Sequence, residues 1–176
     1  VSNRQAFETL VLPHLDAAYN LARWLLRSDQ AAEDAVQDAS IRAFRYIDSL
    51  QGEDARPWLL GIVRNTCFTT LERARSGPQW VDFDETEFEA ALGEAERGAS
   101  DPAAQLERAR TRAQIDAAIR ALSPPLREVI VLREFEDLDY AQIAKIAAIP
   151  IGTVMSRLAR AREKLRGILT QTNPGR

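Results

Sequence analysis

The stretch from Asp139 to Arg166, DYAQIAKIAAIPIGTVMSRLARAREKLR, restricts the fold more than any other part of the chain. It reads as two helices with a tight break between them. Asp139 is placed to cap the first, with Gln142 three residues on, at capping-box spacing. Ile143, Ile146 and Ala147 give that helix an apolar side. Ala148-Ile149-Pro150 ends it, because the residue before a proline is pushed out of the α region. A second helix is expected from about Gly152. Its apolar residues Val154, Leu158, Ala161, Leu165 and Ile168 recur at steps of four, three, four and three, one stripe of a 3.6-residue helix. Thr153, Ser156, Arg157, Arg160 and Lys164 fall on another side, with Arg162 and Arg166 flanking it. A short helix, a tight turn and a basic amphipathic helix make the shape that enters a DNA major groove. A basic amphipathic helix on its own is equally a solvated surface helix.

Helical periodicity runs through nearly all of the remaining chain and strand signals are almost absent, so the expected class is all-α. At 176 residues, 45% of them hydrophobic, the chain suits one medium domain or two small ones with real cores. No apolar run approaches the roughly 20 residues of a membrane span, and the opening residues lack the pattern of a secretory leader. No membrane insertion is expected. The single Cys67 excludes an internal disulfide and fits a reducing, cytoplasmic setting.

A net charge of −3 is unusual for a DNA-binding chain, and its distribution explains it. Residues 1–75 carry nine basic and ten acidic side chains, residues 76–104 one basic and eight acidic, and residues 105–176 thirteen basic and eight acidic. An acidic linker thus hides a basic C-terminal unit. The expected organisation is a helical domain at 1–75, a linker at 76–104 with a possible short helix at Glu85–Glu96, and a second helical domain at 105–176.

In the first domain, Phe7, Leu10, Val11, Leu15, Ala18, Leu21, Ala22 and Leu25 form a stripe over Arg4 to Arg27, where Pro13 bends or restarts the helix. Asp29 is read as the cap of a helix from about Gln30 to Ser49, with Ala32, Val36, Ala39, Ala43 and Ile47 facing a core. A third helix is expected from about Arg56 to Arg75, with Pro57 in its first turn and Trp58, Leu59, Ile62, Val63, Thr66 and Thr70 inward. Asn65, Phe68, Thr69, Glu72 and Arg73 share another side. Phe68 reads either as a residual core aromatic or as a platform for stacking an unpaired base. The lone His14 has no metal-ligand partners at useful spacing and reads as structural. Cys67 reads as a small, semi-buried residue, since no second cysteine could resolve a sulfenate. In the second domain, helices are expected over Pro102 to Leu122, with Leu106, Ile115, Ala118, Ile119 and Leu122 apolar, and over Leu126 to Phe135, with Ser123-Pro124-Pro125 as the start signal.

Several stretches resemble bacterial RNA polymerase sigma factors of the small extracytoplasmic-function type. YAQIA at Tyr140 to Ala144, IPIGTVMSR at Ile149 to Arg157 and ARAR at Ala159 to Arg162 resemble the family's promoter-reading helix-turn-helix, and LSPPLREVIVLREFEDLDY resembles the segment before it. AAEDAVQDASIRAFRYIDSL resembles the segment that docks on a coiled coil of the polymerase core, and WLLGIVRNTCF the helix that reads the minus-10 element. The resemblance covers about residues 5–75 and 105–168, in the family's order. It implies that Asp34, Gln37 and Asp38 contact core. It puts Trp58, Arg64 and Asn65 on motif positions of the minus-10 helix, and with the neighbouring face the expected minus-10 contacts are Arg64, Asn65, Phe68 and Arg73. For the minus-35 element it implies Thr153, Ser156, Arg157, Arg160, Arg162 and Lys164. Asp34, Gln37 and Asp38 sit at i, i+3 and i+4, one helix face, and an acidic and amide patch suits an arginine-rich partner helix.

Two positions depart from the family pattern. Ala148 stands where the family often has glycine; a positive φ there costs alanine about 1 kcal/mol or somewhat more. Near Leu50, in the loop with which the family captures a flipped minus-10 base, the frequent aromatic is missing.

The resemblance implies a promoter-specificity subunit whose partners are RNA polymerase core, promoter DNA and commonly an anti-sigma factor, with no cofactor or metal. An autonomous helix-turn-helix regulator accounts for residues 105–168 but leaves the first domain without a role. An enzyme finds no support in the residues: there is no Gly-rich phosphate loop, and the only His and only Cys lie in different helices. An all-helical adaptor without a DNA role would bind no DNA with or without polymerase. The linker's charge serves either as a nucleic-acid mimic in a basic channel or for solubility.

Overall fold

The computed structural model describes residues 2–52, 54–76 and 101–172, and every regular element among them is helical. The first domain contains α1 (Asn3–Leu10), a 3-10 turn (Leu12–His14), α2 (Leu15–Leu26), α3 (Asp29–Arg45), a second 3-10 turn (Ile47–Ser49) and α4 (Ala55–Ser76). The second contains α5 (Pro102–Arg120), α6 (Pro124–Ile130) running into a π-helical turn (Val131–Phe135), α7 (Tyr140–Ala147) and α8 (Ile151–Thr172). The all-α class is borne out. The linker helix considered at Glu85–Glu96 lies outside the described residues.

Helices α2, α3 and α4 pack mutually. Leu21, Leu25, Leu59, Leu60 and Val63 fill the centre at 0–1% exposure. The side chains that α3 buries are all alanines, Ala32, Ala35, Ala39 and Ala43, and such small residues let helix axes approach closely. Pro13 lies in the 3-10 turn and separates α1 from α2. Ser28, not Asp29, caps α3: its hydroxyl accepts from the Ala31 amide at 3.2 Å. Asp29 is instead the first helical residue, where a carboxylate favours the positive helix end and pairs with Arg23 at 2.9 Å. Cys67 is fully buried rather than semi-buried, and desolvation pushes its thiol up to about 12. Thr70, expected inward, is exposed and donates its hydroxyl to the Thr66 carbonyl.

In the second domain Val129, Leu132, Leu138, Ile143, Val154 and Leu158 form the core. Ser123 occupies the cap position of α6 without a side-chain capping bond, while its carbonyl receives the Leu126 and Arg127 amides. The helix expected to run unbroken to Phe135 changes to a π turn at Val131, and Asp137 then adopts φ 51° to reverse the chain. Leu106 and Ile115, expected in the core, are 55% and 40% exposed, because α5 buries side chains only from Asp116 onward.

The capping box at Asp139 is complete. Its carboxylate accepts from the Gln142 amide at 2.8 Å and the Gln142 side chain accepts from the Asp139 amide at 3.0 Å. Ala148 closes α7 in the left-handed region at φ 54°. A β-carbon is strained there. Ala148→Gly is therefore expected to stabilise the second domain by about 1 kcal/mol, read as a higher urea midpoint at unchanged slope. A lower midpoint would show that the turn carries no such strain.

The two domains pack on each other. Helix α4 lies against α7, and α2 lies against α6 and the π turn. Trp24 stacks on Phe135 with ring centroids 5.3 Å apart.

Candidate functional site

Three groups of side chains carry the expected contacts, and the fold treats them differently. On α3, alternate turns bury alanine and leave Asp34 and Gln37 exposed, with Asp38 half-exposed beside them. Asp34 accepts from Gln30 at 3.2 Å, and Asp38 pairs with Arg42 at 3.2 Å along the same helix. This face also holds apolar side chains that were not singled out above: Ile41 is 55% and Phe44 45% exposed, with Tyr46 just beyond at 56%. Ile41 lies seven residues from Asp34, on the same stripe, and an apolar residue on a polar helix face was the available signal.

On α8, Val154, Leu158 and Ala161 are buried as the stripe required, with Leu165 and Ile168 half-buried further on. Ser156, Arg160 and Lys164 are exposed and Thr153 half-buried. Arg162 is exposed and bonded to Glu134 at 3.1 Å. Arg157 departs from the expectation of a side chain free to reach outward. Its guanidinium lies 3.7 Å from the carboxylate of Glu128, a residue of α6 with no exposed surface.

On α4, Asn65 and Arg73 are exposed. Arg64 is not: its Nε donates to Glu128 Oε2 at 2.8 Å and its Nη2 to Glu128 Oε1 at 3.2 Å. The Arg64 guanidinium also covers the ring of Phe68, 3.9 Å from its centroid. Phe68 is half-buried against the core, with the Arg64 cation over one face of its ring. Burial raises the Glu128 carboxyl above the usual carboxylate range, opposed by its hydrogen bonds and charge contacts with Arg64 and Arg157.

Leu50, Gly52, Pro57, Trp58 and Asn65 line a cleft of about 680 Å³ beside α4, which Gln142 and Lys145 of α7 complete. Gly52 sits at φ 88°, a conformation only glycine adopts without strain. Among the described residues no helix is long and apolar enough to cross a membrane.

Two regions of one family of transcription factors match the two domains in order. Residues 10–77 match Sigma-70 region 2 and residues 112–165 match Sigma-70, region 4, which defines the class as a sigma factor. The chain is 36% identical over 169 residues to the RNA polymerase sigma-H factor of Pseudomonas aeruginosa, covering 93% of this chain and 86% of that protein. It is 34% identical over 166 residues to the ECF RNA polymerase sigma-E factor of Escherichia coli K12, again 93% and 86%. Among solved structures it superposes on the sigma factor RpoE of Bartonella quintana, in complex with the anti-sigma factor NepR, with TM-score 0.70 and 28% identity over 93% of this chain and 96% of that one. CnrH, in complex with the cytosolic domain of CnrY, gives TM-score 0.65 and 25% identity over 97% and 91%. The chain belongs to the extracytoplasmic-function sigma factors, and it directs promoter-specific transcription by RNA polymerase. Members of this family are initiation factors and not catalysts.

Proposed function

We propose that the work is divided between the domains, with residues 1–75 binding polymerase core and opening the minus-10 element and residues 105–176 reading the minus-35 element as duplex. The protein acts in the cytoplasm and catalyses nothing itself; the polymerase does the chemistry. The observation that carries this reading is the exposed face of α3. It holds Asp34, Gln37 and Ile41 on one stripe, with charged and apolar side chains together. A mixed patch of this kind suits a partner surface better than solvent. Arg64, Asn65, Phe68 and Arg73 on α4 meet the minus-10 strand. Thr153, Ser156, Arg157, Arg160, Arg162 and Lys164 on α8 meet the minus-35 duplex. The solved relatives are in complex with the anti-sigma factor NepR in one case and with the cytosolic domain of CnrY in the other, and an anti-sigma factor or other regulatory protein is proposed as a partner here too.

Reconstitution with core polymerase on a promoter library tests the reading: the chain directs initiation from a defined pair of upstream elements. Sequence-specific footprinting by the free chain at physiological salt would favour an autonomous regulator instead. Within α8 the exposed Arg160 can bond a guanine with two parallel hydrogen bonds, worth roughly 1–3 kcal/mol of discrimination. Arg160→Ala is expected to relax preference at one upstream base pair. Arg162→Ala is expected to weaken binding uniformly, by an amount that shrinks at high salt. Selection of upstream sequences with each mutant holoenzyme reads both, and an unchanged preference in Arg160→Ala makes that residue a backbone contact.

A further inference from the structure

Helix α8 presents two rows of exposed positions side by side. Gly152, Ser156 and Arg160 form one, and Ile151, Met155 and Ala159 form the other, each at steps of four residues. The first row carries hydrogen-bonding side chains at Ser156 and Arg160. The second is wholly apolar, and its two large members, Ile151 and Met155, are 49% and 54% exposed. The fold asks for neither of them. Val154, Leu158 and Ala161 hold α8 in its domain, with Leu165 and Ile149 packed against the same core. Ile151 and Met155 belong neither to that core nor to the half-buried side chains around it.

A single exposed apolar residue is ordinary on a protein surface. Two large ones, one turn apart, open the second helix of a helix-turn-helix here, and the N-terminal residues of that helix are the ones that contact base edges. The same end is poor in groups that could read by charge or hydrogen bond. Residues 151–158 hold one basic side chain, Arg157, and it lies 3.7 Å from the buried Glu128. The Ser156 hydroxyl already donates to the Thr153 carbonyl at 3.1 Å, which leaves its oxygen only to accept. The major groove offers one apolar feature for such a surface, the 5-methyl group of thymine.

We infer that Met155 and Ile151 read thymine methyl groups in the minus-35 element, a specificity that rests on the proposed function of α8. Met155 is the main reader, since its unbranched thioether adapts to where the methyl lies. Ile151, at the first position of the helix, flanks it. The preference has two sources. Contact removes the methyl and the side chain from water together. A C·G pair in the same place has no methyl, and it would set the cytosine amino group against an apolar side chain that cannot accept its hydrogen bond. The leading end of α8 therefore discriminates by apolar contact, and the exposed Arg160 further along by hydrogen bonding.

The test uses holoenzyme made with the full chain and promoter duplexes carrying the minus-35 element that selection returns. Each thymine of that element is replaced in turn by deoxyuridine, which removes the methyl and keeps the base pair. At one or two positions the change is expected to weaken holoenzyme binding about fourfold, the effect of one buried methyl. Met155→Ala is expected to abolish the difference between thymine and deoxyuridine at one of them, weakening the thymine duplex and leaving the deoxyuridine duplex nearly unaffected, as a double-mutant cycle requires of two groups in contact. Met155→Leu, still apolar, should keep the difference. The thermal melt should hardly move, because the side chain is exposed and outside the core. A selected element without thymine, or one insensitive to every deoxyuridine, overturns the inference while the proposed function stands. So does a methyl effect that persists in both Met155→Ala and Ile151→Ala. Equal weakening on both duplexes also overturns it, and turns the row towards the DNA backbone or a protein partner. Failure of selection to return any upstream element would instead overturn the proposed function, and the inference with it.

Discussion

Leu158→Asp is expected to unfold the second domain while the first stays helical. Leu158 is 1% exposed, between Val154 and Ala161 at 0%, and it packs α8 into the core shared with α6 and α7. An ionised carboxylate there has no partner, and the alternative, a neutral acid, still lacks the hydrogen bonds it needs. A whole domain of this size is held by only about 5–15 kcal/mol, and loss of the leucine packing alone costs about 2–5 kcal/mol. The sum exceeds what the domain can absorb. Hydrogen exchange should lose protection across 124–172 and keep it across α2 and α4. Leu158→Ala, lacking the charge, should lower the midpoint without abolishing the fold. Native-like protection in Leu158→Asp would mean that the stripe from Val154 to Ala161 is not a core.

The second large effect concerns polymerase assembly. Asp34→Lys with Asp38→Lys is expected to weaken core binding by about a hundredfold or more, since like charges pressed together across an interface cost several kcal/mol. Folding should hardly change. The bonds lost are an exposed Gln30 to Asp34 contact and the Asp38 to Arg42 pair on one helix, and exposed pairs contribute about 0–1 kcal/mol. The measurement is core affinity of the labelled chain beside its thermal melt. Normal assembly by the double variant would make that face a solvated one. Loss of binding together with loss of the melt would mean that α3 had been misjudged as a surface.

The helix-turn-helix was legible in its cap, its stop and its apolar stripe. The capping box at Asp139, the stop before Pro150 and the Val154–Leu158–Ala161 stripe depend on neighbours within one or two turns, and those are written in the local sequence. Asp29 against Ser28 shows the margin of that reading: both are good capping residues one position apart, and the geometry of the entering chain selected Ser28. Ile41 was missed because reading α3 by its alanine stripe sorts residues into inside and outside, and an apolar residue outside carries no local requirement.

By itself the sequence determined the helices, the two apolar cores, the acidic segment between them and the family pattern in two blocks. It did not determine which polar residues are surface. Arg127 and Glu128 sit beside leucines and valines in a short amphipathic helix, and local pattern reads them as its solvated side. Only the tertiary structure turns that side against α2 and α4, and converts two ordinary charges into a bonded junction. The same holds for Arg157, off the apolar stripe and yet beside a buried carboxylate. Periodicity reports which face of a helix avoids water. A buried charge is decided by the partner that reaches it, and here that partner comes from a distant part of the chain.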